Sequence, residues 1–137
     1  MTKVLIDTDV LIDFLAERQP HADFAEQIFL VAAREEICLF TTGDILSNAY
    51  YVLRKIFSHS KILAKFSQLL RYMEVIDINK QVILNAISSG FRDFEDALQN
   101  YAAEHSGEID IIVTRNVKDY KHSSISVMTP LDFSKSL

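Results

Sequence analysis

Asp7, Asn48, Asp93, Asp96, Thr114, Asn116 and Asp119 are the residues of this chain whose types and spacing point to chemistry. Asp7 closes KVLID (3–7), a short apolar run whose length and Val-Leu-Ile content predict a buried strand. Asp93 and Asp96 stand three residues apart after Gly90-Phe91-Arg92, near one face of a helix's first turn. Asp93 also suits the N-cap of that helix, and Asp96 complements its dipole. Thr114, Arg115 and Asn116 directly follow a second strand candidate, DIIVT (110–114), and Asp119 lies one short turn on. Asn48 sits in a helix that continues Ala49-Tyr50-Tyr51-Val52-Leu53, an apolar flank that predicts burial, and a buried amide needs partners. Oxygen donors of this kind, with no cysteine or imidazole cluster, suit Mg²⁺ or Mn²⁺. Packed carboxylates repel one another until a cation offsets them, and a divalent ion can activate water and stabilise charge on a phosphodiester. The chemistry indicated is metal-dependent phosphoryl hydrolysis.

These residues converge only if the intervening elements bring them together. Helical periodicity over 8–18 (Val10, Leu11, Phe14, Leu15) and 21–36 (Phe24, Ile28, Val31, Ala32) follows the first strand, with Pro20 near a helix start. Ile37–Thr41 is a second strand, and Cys38 within it suits a small buried hydrophobe. Helices to about Phe57 and over 60–72 precede a strand at Glu74–Ile78. A helix then runs to about Ser89, and another covers 94–105. After DIIVT come a strand at Ile125–Met128 and a last short turn of helix at Thr129-Pro130. Apolar strands alternating with helices predict an α/β three-layer sandwich, with a mainly parallel central sheet of about five strands covered on both faces. In such sheets ligands bind at the carboxyl ends of the strands, where Asp7 and Thr114 fall.

Composition bounds the rest. At 137 residues, 49% hydrophobic and 24% charged, the chain suits one globular domain over 1–137. Three glycines and two prolines argue against a turn-rich β sandwich. One cysteine excludes an intramolecular disulfide framework and suits a reducing compartment. Apolar stretches fall well short of the ~18 residues of a membrane span, and Asp7, Asp9 and Asp13 interrupt the first. A soluble, cytoplasmic protein with no membrane association is expected. The net charge of −5 speaks against a generic nucleic-acid coat. Yet Asp44 to Glu74 encloses no acid while carrying Arg54, Lys55, His59, Lys61, Lys65 and Arg71, and Arg115, Lys118, Lys121 and His122 form a second basic group. Both groups fit either solvated faces or a phosphate-tracking surface. Asp9 suits a cap or a solvent-facing position, and Asp13, Glu17 and Glu26 suit solvated faces. Tyr50 and Tyr51 suit core and helix contacts.

VLIDTDVLIDFL, SNAYYVLRK, DFEDALQNYAA and IVTRNVKDY, in this order, resemble the PIN-domain family of ribonucleases, in particular its VapC-like toxins from bacterial toxin–antitoxin pairs. The resemblance implies acids that hold one or two Mg²⁺ or Mn²⁺ ions and cleave RNA by water attack, leaving 5′-phosphate and 3′-hydroxyl ends. Asp7 matches the family's first acid and Asp96 its third. Asn48 stands where the family usually has Glu, and Asn116 where it usually has Asp; a subgroup carries amides at both places. Asp119 or Asp93 then compensates, and Thr114 matches a site hydroxyl. Two fewer charges lower the affinity for the cation, so an RNA phosphate would complete the site. Arg54, Lys55, Arg115 and Lys118 would meet the RNA backbone. The resemblance further implies a homodimer and a small antitoxin whose tail blocks the groove.

Three other readings compete. Asp7-Thr8-Asp9-Val10 mimics the nucleophile loop of haloacid-dehalogenase-like phosphatases, but no later Gly-Asp-x-x-x-Asp follows and no cap domain fits. A receiver-like domain would use Asp7 for metal and Asp77 for phosphorylation, but no Lys follows the last strand. A PIN-fold module that binds RNA or a partner without cutting is favoured by the two amides.

Overall fold

A computed structural model describes all of residues 1–137. Five strands form one parallel sheet: β1 (Thr2–Ile6), β2 (Ile37–Thr41), β3 (Met73–Val75), β4 (Ile111–Val113) and β5 (Ser126–Met128), in the order β3-β2-β1-β4-β5. Helices flank it: α1 (Thr8–Leu15), α2 (Ala22–Ala33), α3 (Gly43–Leu53), α4 (His59–Leu69), α5 (Lys80–Ile87), α6 (Phe94–Ser106) and α7 (Pro130–Ser136), with a 3₁₀ turn at Val117–Tyr120. Val4, Leu5, Ile6, Leu39 and Ile112 are buried, as central strands covered on both faces require. Between β1 and β4 the strand order reverses. Val4, Leu5 and Ile6 there stand in register with Ile111, Ile112 and Val113. Parallel α/β sheets open their ligand crevice at such a point.

Helices that start at this carboxyl edge carry side-chain caps. Asp7 caps α1, accepting from the Thr8 N–H at 2.8 Å. Thr42 caps α3, its Oγ1 accepting from the Ile45 N–H at 3.0 Å. Asp93 caps α6, accepting from the Asp96 N–H at 2.9 Å. Each cap satisfies a backbone donor that the helix leaves orphaned. Helix α6 ends at Gly107, whose φ of 67° is left-handed and suits glycine.

The expected architecture holds, with local differences. The third strand begins one residue earlier and ends at Val75, although the Ile76 N–H still donates to the Thr41 carbonyl at 3.0 Å. The last helix runs Pro130–Ser136 rather than a short turn, because Thr129 caps it and Pro130 preorganises its first turn. Tyr51 is exposed rather than a core contact: Ile45, Ala49 and Leu53 take the buried side of α3. Cys38 is half-buried. No helix is long and apolar enough to cross a membrane.

Candidate active site

Asp7 lies at the crevice, only 6% exposed. Its backbone N–H extends the β1–β4 ladder by donating to the Val113 carbonyl at 3.0 Å, which fixes where its carboxylate points. The Thr114 hydroxyl donates to Asp7 Oδ2 at 2.8 Å and accepts from the Asn116 N–H at 3.1 Å. Burial pushes the Asp7 carboxyl above its usual range, against the stabilising bonds from Thr114 and Thr8. Asp96, on the first turn of α6, faces the same pocket. Burial, then the charges of Asp7, Asp93 and Asp119, push it up to about 7. These four acids therefore share one field.

Tyr120 is the member that sequence reasoning missed. Its hydroxyl donates to Asp96 Oδ1 at 3.4 Å and lies against Asp7. Burial and the two carboxylates keep the phenol firmly protonated, so it serves as a donor between like charges. Phe91 supports the ring edge-on, with centroids 5.8 Å apart.

Beside this centre the β4–α1 contact is tied by charge. Asp13 is fully buried, not on a solvated face. It accepts from Arg18 Nε at 2.8 Å and from Arg115 Nε at 2.7 Å. A carboxylate without water requires such partners. The Arg115 N–H donates to Asp9 Oδ2 at 3.1 Å, and Asn116 Nδ2 reaches the same oxygen at 3.4 Å. Asp9 is pushed up to about 6, first by burial and then by the Asp7 charge. The Arg115 guanidinium is thus engaged by Asp13, while Lys118 is exposed.

Asn48 is half-buried, and its Nδ2 donates to Asp44 Oδ2 at 3.2 Å. The same oxygen accepts from Gln99 Nε2 at 2.7 Å, and the Thr42 hydroxyl donates to Gln99 Oε1 at 2.8 Å. This network joins the first turn of α3 to the second turn of α6. Its charge spreads further: burial, then Asp44 and Asp93, raise the Glu95 carboxyl. Gln99 and Asp44 carried no warning in the sequence beyond Gln99 lying one turn after Asp96. Arg54 and Lys55 project into solvent at the far end of α3. Arg54 Nη1 there donates to the Phe57 carbonyl at 3.1 Å, and Lys61 and Lys65 stand over the Phe57 ring.

The donor set suits a hard cation. No three His, Cys, Asp or Glu side chains surround a common point closely enough to form a ready-made cage. Asp7 and Asp96 supply two carboxylates, with further charge from Asp93 and Asp119. An octahedral Mg²⁺ or Mn²⁺ that keeps several waters needs no more direct protein ligands. Crowded acids with raised protonation points are the arrangement that a divalent ion neutralises.

Comparison with known proteins bears on the family and the fold. Residues 3–118 match the family described as PIN domain. Ribonuclease VapC1 of Aquifex aeolicus is 28% identical over 136 residues, 96% of this chain and 92% of that protein. Among solved structures, VapBC2 from Rickettsia felis bound to a promoter DNA fragment gives a TM-score of 0.67 at 14% identity, covering 93% of this chain and 98% of that one. A toxin–antitoxin complex from Klebsiella pneumoniae gives 0.65 at 19% identity, covering 93% and 97%. VapC20 of Mycobacterium tuberculosis, a Sarcin-Ricin loop cleaving toxin, gives 0.63 at 16% identity, covering 80% and 86%.

Proposed function

Since the chain belongs to the PIN domain family, we propose that it is a Mg²⁺- or Mn²⁺-dependent ribonuclease and the toxin of a toxin–antitoxin pair. The observation that carries this reading is the meeting of Asp7, from the end of β1, with Asp96, from the start of α6, around the Thr114 and Tyr120 hydroxyls. The kinship with Ribonuclease VapC1 supports RNA as the substrate. The Klebsiella pneumoniae toxin–antitoxin complex and the other toxin–antitoxin neighbours support an antitoxin partner.

Asp7 and Asp96 would hold the ion, with Asp93 and Asp119 adding charge from the rim. When bound, the ion supplies a Lewis acid and an activated water for attack on the phosphodiester. Thr114 holds Asp7 in its coordinating rotamer, and Tyr120 keeps Asp7 and Asp96 apart without adding charge. Asn116 steadies Asp9 and the β4 loop. Asn48, tied to Asp44, orients water or a phosphate oxygen where a second carboxylate would repel it. The amides at 48 and 116 lower the site's negative charge, and the RNA phosphate restores it. Arg54, Lys55 and Lys118 follow the backbone; Arg115, held by Asp13, shapes the loop instead of reaching for RNA. A cavity of about 880 Å³ between α1, α2 and α4, lined by Phe14, Phe29, Leu30, Leu69 and Tyr72, is the surface we assign to the antitoxin. We assign the chain a homodimeric state, which sedimentation of the purified protein tests.

Incubation of the purified chain with mixed RNA and Mg²⁺ or Mn²⁺, beside Asp7→Asn, tests the activity. Cutting that disappears in the variant and in chelator supports it. Equal cutting in both overturns it, and complete inertness favours an RNA- or partner-binding module. Hydrolysis of a simple phosphomonoester would point to a phosphatase.

A further inference from the structure

A cavity of about 610 Å³ opens next to the acidic centre, where the carboxyl ends of β2 and β3 meet the first turn of α6. Its walls are Val75, Ile76, Ile83 and Phe94, and Asp44 and Asp77 give it two carboxylates. Phe94 is 52% exposed and directly precedes Glu95 and Asp96 in α6. Asp44 is the acid that Asn48 and Gln99 grip through Oδ2. Cavity and acidic centre therefore share the first turn of α6, and the hydrogen-bond network on Asp44 borders the cavity.

We propose that this cavity receives one unpaired nucleobase of the RNA beside the scissile phosphate, stacked on Phe94 with its amino edge on Asp44 and Asp77. The proposal rests on RNA being the substrate. Charge decides which part of the RNA enters. Asp44, Asp77 and Glu95 repel phosphate, whereas a base is neutral and brings an aromatic face to an apolar wall. The acceptors are available: Asp44 Oδ1 takes no donor from the chain, and Asp77 has no hydrogen-bond partner. Adenine, cytosine and guanine carry exocyclic amines that donate to carboxylates, while the uracil edge offers a carbonyl there. The volume falls within the range of small-molecule pockets. The pocket thus selects against uracil.

Fluorescence anisotropy with labelled short oligo(A), oligo(C) and oligo(U), in chelator so that no metal-dependent cutting occurs, tests this. Oligo(A) and oligo(C) are expected to bind more tightly than oligo(U). Phe94→Ala should weaken their binding by about five- to a hundred-fold, the usual cost of losing a stacking platform. Phe94→Tyr should restore it, and Asp77→Asn should narrow the gap to oligo(U). Equal binding of all three oligomers, with Phe94→Ala unchanged within about two-fold, would overturn the proposal. So would a Phe94→Ala variant that changes oligomeric state but not base preference, since a second copy would then cover this face. RNA cut without base preference sinks the pocket and leaves the ribonuclease standing. Selective binding without any cutting keeps the pocket and sinks the catalytic reading.

Discussion

Replacing Asp96 by asparagine removes one charge from a crowded pocket while keeping an oxygen to accept from Tyr120 Oη. The folded carboxyl titrates at about 7 against an ordinary 3.8. A folded acid raised in this way binds its proton more tightly than the unfolded chain does. It costs no stability at pH below 3.8, costs progressively more as pH climbs to about 7, and keeps that full cost above. Undiluted, this gap corresponds to about 4 kcal/mol. Asp96 is only half-buried, and solvent screening brings the expected cost to about 1–2 kcal/mol. Asp96→Asn should therefore be more stable than wild type by about that amount at pH 8, or about 3–8 °C in Tm. The advantage should shrink steadily toward pH 5. Urea titrations of both proteins in chelator at a series of pH values measure it. Mn²⁺ at about 100 times its dissociation constant should then stabilise wild type by about 2.7 kcal/mol and the variant by far less. A variant no more stable than wild type at pH 8, or an advantage that does not change with pH, would refute the crowding argument.

Thr114→Val removes the hydroxyl that orients Asp7 without changing side-chain shape, and should weaken Mn²⁺ binding by about 10- to 100-fold in calorimetry. Asp13→Ala strands the Arg18 and Arg115 guanidinium groups and should cost about 3–5 kcal/mol in urea unfolding, with Asp13→Asn costing less. Leu30→Asp and Tyr72→Asp, at exposed positions lining the groove assigned to the antitoxin, should abolish neutralisation by that partner while RNA cleavage stays at the wild-type rate.

The sheet was legible because its strands are pure apolar runs between amphipathic helices, and that rhythm has few solutions. Asp7 and Asp96 were legible for a related reason. An acid at a strand end or in a helix's first turn is placed by local rules, and the parallel topology then carries both to one edge. Asp13 was misplaced because a helical acid spaced four residues from another looks solvated; the Arg115 that buries it lies 102 residues away. Tyr120 escaped notice because an aromatic after a basic turn looks like core. Its ring is indeed core, and only the fold reveals where its hydroxyl points. Tyr51 erred in the opposite direction, since an apolar stretch does not tell which face of α3 meets the sheet.

The bond between Thr114 and Asp7 spans 107 residues. Thr114 directly follows strand β4, which slots in beside β1 although β2, β3 and six helices lie between them in sequence. A chain still emerging from the ribosome therefore holds its first acid without the hydroxyl, phenol and second carboxylate that make it useful. The pocket that joins Asp7, Thr114, Tyr120 and Asp96 is in this way assembled only when the sheet closes.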